Sequence, residues 1–212
     1  FYGVNLNDSD NPSMMFTITP DTSGFSSMGQ IWEKPTKAKI KTSTTDTGTD
    51  VLVFGGGYDM CYENETFQVG VTDTALEGCS NITAAKGNAV YIINAKTGAL
   101  IWSASASGSP SKTVDSMTNS IVAGVTTLDR NNDGFMDHIY FADLGGQIFR
   151  ADFTNAGFKK PVASGTSSPE TSFTNTRVTR ILKSAYAGDN IKYNYRFYER
   201  PTVSFYRNDI SN

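Results

Sequence analysis

In the run Asp129-Arg130-Asn131-Asn132-Asp133-Gly134-Phe135-Met136-Asp137, the side chains that offer oxygen lone pairs follow the pattern D-x-N-x-D-G-x-x-D. That is hard-cation chemistry. Ca²⁺ takes about six to eight oxygens at roughly 2.3–2.6 Å, and alternate side chains of a tightly turning loop can face one centre. Asp129, Asn131 and Asp133 fill loop positions 1, 3 and 5, and Asp137 fills position 9. Gly134 at position 6 permits the sharp turn that lets the Phe135 carbonyl point inward at position 7, with water as the remaining ligand. The competing reading is a solvated turn that binds nothing, because Asp, Asn and Gly also dominate ordinary turns. Three carboxylates so close together repel one another without a cation. The expected site is therefore Ca²⁺ held by Asp129, Asn131, Asp133, Phe135 and Asp137.

The elements around the loop must be strands. Position 12, where a helix-flanked calcium loop places a bidentate Glu, is Tyr140, and His138-Ile139-Tyr140-Phe141-Ala142-Asp143 is β-branched and aromatic. After it come Leu144-Gly145-Gly146 and then Gln147-Ile148-Phe149-Arg150, which reads as strand, turn, strand. The same order appears earlier. Asn88–Asn94 leads through Ala95-Lys96-Thr97-Gly98 into Ala99-Leu100-Ile101-Trp102. Tyr91 and Tyr140 stand about 49 residues apart, inside the range of β-propeller blade periods. A second echo pairs Trp32-Glu33-Lys34-Pro35-Thr36 with Tyr198-Glu199-Arg200-Pro201-Thr202, each Pro placed for the start or exposed edge of a strand. Ser103–Lys112 and Ala163–Ser172 read as inter-strand loops.

These signals predict an all-β chain of propeller-like blades built from antiparallel sheets, as a single domain over residues 1–212. At about 40–50 residues per blade there is room for about four, fewer than the commoner closed rings, so a partial or modified propeller is expected. A β-sandwich with a long surface hairpin is the alternative.

Composition narrows the function classes. The chain has 212 residues, 38% of them hydrophobic, enough for one core. A formal net charge of −3 with no basic cluster argues against a nucleic-acid partner. No apolar run approaches the roughly 18–20 residues that span a bilayer. The start at Phe1 reads as a piece cut from a longer exported chain. Cys61 and Cys79 are the two cysteines. In their polar, turn-rich stretch they read as one disulfide in an oxidising compartment, against two free thiols in a cytosolic protein.

Enzyme signatures are weak, and no catalysis is expected. Gly24-Phe25-Ser26-Ser27-Met28-Gly29 misses the nucleophile elbow by one residue, and the lone His138 lies within the metal-loop strand. Gly55-Gly56-Gly57 lacks the Lys-Ser/Thr of a phosphate loop and reads as a tight turn or close blade packing. Asn64-Glu65-Thr66 and Asn81-Ile82-Thr83 match glycosylation sequons by pattern alone.

Taken in order, several pieces resemble a known family. They are Val53-Phe54-Gly55-Gly56-Gly57-Tyr58-Asp59 with Cys61, then Cys79, Gly87-Asn88-Ala89-Val90-Tyr91, Asn94-Ala95-Lys96-Thr97-Gly98, the D-x-N-x-D-G-x-x-D loop, Tyr140–Gly146 and Phe149-Arg150. The series, over about residues 50–153, resembles the C-terminal propeller domain of the PilY1 family of type IV pilus biogenesis factors, known as PilC in some bacteria. The resemblance implies a calcium-binding protein of the bacterial cell surface, pilus tip, periplasm or outer membrane that supports pilus extension, twitching motility and adhesion. Minor pilins or other pilus components are the implied partners. The large N-terminal region that carries the family's adhesive functions is lacking here, so host or abiotic surfaces would be met through regions absent from this chain.

Two other propeller classes are similar in part. The Thr97-Gly98 to Trp102 hairpin resembles the blades of quinoprotein dehydrogenases that bind pyrroloquinoline quinone, but their cysteine pair is vicinal and Cys61 and Cys79 are not. Trp102 reads more simply as a core aromatic between blades. FG-GAP adhesins repeat the calcium loop in several blades, whereas it occurs once here.

Overall fold

A hairpin of β1 (Tyr2–Asn5) and β2 (Ser13–Thr17) precedes two antiparallel meanders in a computed structural model that describes residues 1–72, 76–160, 164–184 and 195–204. The first meander runs β3 (Thr36–Ile40), β4 (Thr49–Gly55), β5 (Ala89–Asn94) and β6 (Leu100–Ser105), with the two-residue β7 (Lys112–Thr113) added parallel to β6. The second runs β8 (Thr126–Leu128), β9 (His138–Ala142), β10 (Gln147–Thr154) and β11 (Thr174–Lys183). Among the described residues the one helical element is a short 3₁₀ turn, Met60–Glu63. The chain is all-β, and its two open, four-stranded meanders have the form of propeller blades.

Side-chain alternation decides how the meanders stack. In β5, Val90 and Ile92 enter a core shared with the second sheet, while Ala89, Tyr91 and Ile93 pack the opposite face against Phe25, Met28 and Phe54. Burial on both faces explains why β5 is a continuous apolar run. In β9, Ile139 and Phe141 enter the shared core, and His138 and Tyr140 stay half-buried on the outer face. Each large apolar side chain removed from water there contributes about 1.5–3 kcal/mol. Trp102 meets Phe153 edge to face at 4.9 Å and 87°, so it is indeed a core aromatic between the sheets.

Four expectations need correction. The described residues contain two blades and a hairpin, not four blades, because the stretches between β4 and β5 and between β7 and β8 are largely irregular. The Tyr91–Tyr140 spacing is not a blade repeat: β5 is the third strand of its meander and β9 the second of its own. Pro201 opens no strand, although Thr36, after Pro35, does begin β3. Ser103–Ser105, assigned to a loop by sequence, continues β6.

Glycines make the junction at one end of the first blade. A Cβ on Gly55 would collide with the Ile121 carbonyl, on Gly57 with that of Gln30, and on Gly87 with that of Gly57. Main chain therefore lies on main chain. Gly29 N–H donates to Gly56 O at 2.8 Å, Gly57 N–H to Ile121 O at 3.0 Å, and Gly87 N–H to Ser27 O at 2.7 Å. Beside this seam, Cys61 and Cys79 form a disulfide with Cα atoms 5.6 Å apart. A loop of this length is worth about 3 kcal/mol in the chain-entropy picture. Asp59 closes the base of the lobe, accepting from Cys61 N–H at 3.0 Å and Lys86 N–H at 2.6 Å. Arg196 straps the C-terminal segment to it, donating to the carbonyls of Tyr62, Asn64 and Glu65 with its guanidinium 5.0 Å from the Tyr62 ring.

Candidate metal centre

The loop Asp129–Asp137 joins β8 to β9, and its turn is set by two left-handed residues, Asn132 at φ 60° and Gly134 at φ 89°. Gly134 thus serves as the sequence predicts, adopting a conformation that other residues reach only at a cost. The carboxylates organise the loop's own N–H groups. Asp129 accepts from Asp133 N–H at 3.2 Å and Gly134 N–H at 2.7 Å, Asp133 accepts from Phe135 N–H at 2.9 Å, and Asp137 accepts from Arg130 N–H at 2.9 Å.

The loop is also anchored to both blades. Met136 is buried in the shared core, its N–H donates to Lys39 O of β3 at 2.8 Å, and its carbonyl accepts from Asn155 Nδ2 at 3.0 Å. Asn155 also accepts from Lys41 N–H at 2.9 Å. Asp137 is pinned through its backbone to Leu128 and Phe153. Nothing in the sequence marks Asn155, Lys39 or Lys41 for this task, because their roles depend on a fold that brings distant segments together.

The donors are all oxygens, as a hard cation requires. A carboxylate has about four acceptor positions, and the N–H bonds above leave some on each Asp for a cation. Asp133 and Asp137 line an open cleft of about 50 Å³ with Phe153, Thr154, Asn155 and Phe158, while Asp129, Asn131 and Phe135 lie outside its lining. Asn131 donates from Nδ2 to Asp133 Oδ2 at 3.0 Å and must give up that bond if its own Oδ1 is to coordinate a cation. Among the described residues no three His, Cys, Asp or Glu side chains are gathered tightly enough to hold an ion by themselves. Burial raises the Asp137 carboxyl above its usual range and the neighbouring Asp133 charge adds to the rise, while the Arg130 N–H opposes it. A cation would relieve both. In type the donors suit Ca²⁺, and to hold it they would have to draw together, Asn131 giving up its bond to Asp133.

Next to the loop, on the outer face of the second blade, Asp152 gathers three basic groups. His138 Nδ1 lies 2.7 Å from Oδ1, Arg150 donates to Oδ2 at 3.0 Å, and Arg177 also pairs with Oδ2. Burial works to raise the Asp152 pKa, yet hydrogen bonds from Arg177, Arg150 and His138 hold it below the usual value. His138 is thus engaged by Asp152. Ser27, within the near-elbow motif, is buried and donates to Ser107 O at 3.0 Å, a structural contact.

No family model matches the chain, and no curated protein matches it. Among solved structures it is similar to the crystal structure of the Pseudomonas aeruginosa PilY1 C-terminal domain, at 22% sequence identity and a TM-score of 0.45. The match covers 70% of this chain and 23% of that one, so this chain spans less than a quarter of the length of the structure it matches. The relation is a distant one.

Proposed function

We propose that this chain is a calcium-binding, non-catalytic domain of an exported protein that assists type IV pilus assembly, meeting minor pilins or related components at the cell surface. The observation that carries the reading is the oxygen-rich loop anchored at the seam of two blades, through Met136 to Lys39 on one side and Asp137 to Phe153 on the other. In that place a cation would tie the blades together by quenching the repulsion of Asp129, Asp133 and Asp137. The ordered motifs that resemble the PilY1 family supply the pilus context, and the Cys61–Cys79 bridge agrees with an oxidising compartment.

The test has two arms. Calcium titrated calorimetrically into metal-free protein should give saturable heat that Asp133→Ala abolishes; heat retained in the variant would make the loop an ordinary turn. In cells carrying Asp129→Ala or Asp137→Ala in the parent protein, sheared surface pili and twitching should fall while export is unchanged. Normal piliation in calcium-dead, exported variants would separate the metal from pilus function and leave it a structural staple.

A further inference from the structure

At the opposite end of β9 from the calcium loop, about 17 Å away for a strand of five residues, lies an open polar cleft of about 300 Å³. It sits between the disulfide lobe, which contributes Val69, and the second blade, which contributes Gln147, Arg180 and Lys183. Ser116, Thr118 and Asn119 form its floor. Small-molecule sites have volumes of roughly 300–1,000 Å³ and are mostly apolar with a few placed polar groups. This one reverses that balance: among the described residues Val69 is its only hydrocarbon side chain, and no acidic side chain lines it.

Its polar groups are held in place from behind. Asp143, fully buried, accepts Gln147 Nε2 at 2.7 Å. Gln147 in turn donates to Ser116 O at 3.0 Å and accepts from Arg180 Nη1 at 2.7 Å. Tyr62 OH donates to Asn119 at 2.9 Å and fixes that amide against the Gly145 turn. Arg180 thus keeps most of its five N–H donors for a ligand. The Lys183 ammonium has no hydrogen-bond or ion-pair partner among the described residues.

Two unneutralised cations at one side and hydroxyl and amide groups along the floor select a particular chemistry. We propose that this cleft binds a small hydroxylated carboxylate of the uronic-acid class, its carboxylate on Arg180 and Lys183 and its hydroxyls on Ser116, Thr118 and Asn119. A guanidinium fork matches a carboxylate, and the lysine adds a second charge without imposing geometry. An apolar ligand finds almost no surface here. A bare inorganic anion would engage the cations and leave the floor unused. The site is independent of calcium at the far end of the strand.

The test is a chemical-shift titration of the full chain with glucuronate, glucose and inorganic phosphate in parallel. Glucuronate should bind at least roughly tenfold more tightly than either comparator, and Arg180→Gln or Lys183→Gln should each weaken it roughly tenfold, as expected for loss of one charged hydrogen bond. Lys183→Gln should keep the wild-type unfolding midpoint, since its side chain is exposed and bonded to nothing described, so its loss of affinity reports on the ligand and not on the fold. Phosphate binding as tightly as glucuronate, glucose binding as tightly as glucuronate, no saturation by glucuronate, or undiminished affinity in both variants would each overturn the proposal.

Discussion

At one end of β9 the carboxylates of Asp129, Asp133 and Asp137 are exposed or half-buried and organise N–H groups of their own loop; at the other, Asp143 is fully buried and accepts from Gly145 N–H, Gln147 N–H and Gln147 Nε2 at 2.7–2.9 Å. Both ends are Asp-and-Gly turns, and composition alone does not tell them apart. The difference lies in what remains to be satisfied. Asp143 has its acceptor positions largely filled and no neighbouring carboxylate in its donor set, so it holds the β9–β10 turn together. The loop carboxylates keep unfilled positions and repel one another, which makes them a place for a cation.

Removing Asp143 should show the largest effect. Asp143→Ala strands three buried donors, and the urea midpoint should report a loss of about 4 kcal/mol whether or not calcium is present. A loss that calcium restores would break the distinction between the two ends.

The next effect is one of pH. Burial pushes the Asp143 carboxyl up from 3.8 to about 6, against the opposing hydrogen bonds of Gln147 and Gly145. With the folded value above the unfolded one, the native state keeps a proton that the unfolded chain has released. Stability therefore falls as pH rises from about 4 to about 6, by at most about 3 kcal/mol, and then levels. Asp46 works in the other sense: hydrogen bonds from Thr42 N–H, Thr42 Oγ1 and Gly48 N–H hold it well below the usual range, so its contribution is present above the unfolded value and lost in acid. The Asp143 contribution is the difference between wild type and Asp143→Asn in urea midpoints across pH 4–7. Parallel curves would show that the burial has no titration consequence.

The smallest effect belongs to the loop. Saturating calcium should raise the unfolding free energy by about 1–3 kcal/mol at roughly 10–100 times the dissociation constant, with no gain in Asp133→Ala. Without calcium the same variant should be as stable as wild type within about 0.5 kcal/mol, because Asp133 is exposed and its removal relieves repulsion.

Local patterns were legible in the sequence and long-range ones were not. The β5–β6 and β9–β10 hairpins, the turn at Gly134 and the Cys61–Cys79 bridge follow from neighbouring residue types, whose preferences need no distant partner to act. The repeated hairpin misled on blade number because strand–turn–strand reads alike wherever it sits in a meander. Pro201 misled for a related reason: its segment is fixed by contacts such as Thr126 Oγ1 donating to Pro201 O, which no local pattern encodes. Asp143, Asn155 and the Asp152 cluster were invisible because burial and partner choice arise only once the sheets have stacked.

The glycine seam has a kinetic meaning. Its bonds, Gly87 to Ser27 and Gly57 to Ile121, join segments far apart in the chain, and the glycines themselves bring no side chain to hold them near. Such bonds form only after the intervening loops have closed, an entropy cost that comes before the contacts can offset it. The disulfide shortens this search, because Cys61 and Cys79 both lie within the excursion between β4 and β5 and their bond reduces the length of chain that must be closed. Until the seam closes, the edges of β4 and β5 are open to pairing with another chain.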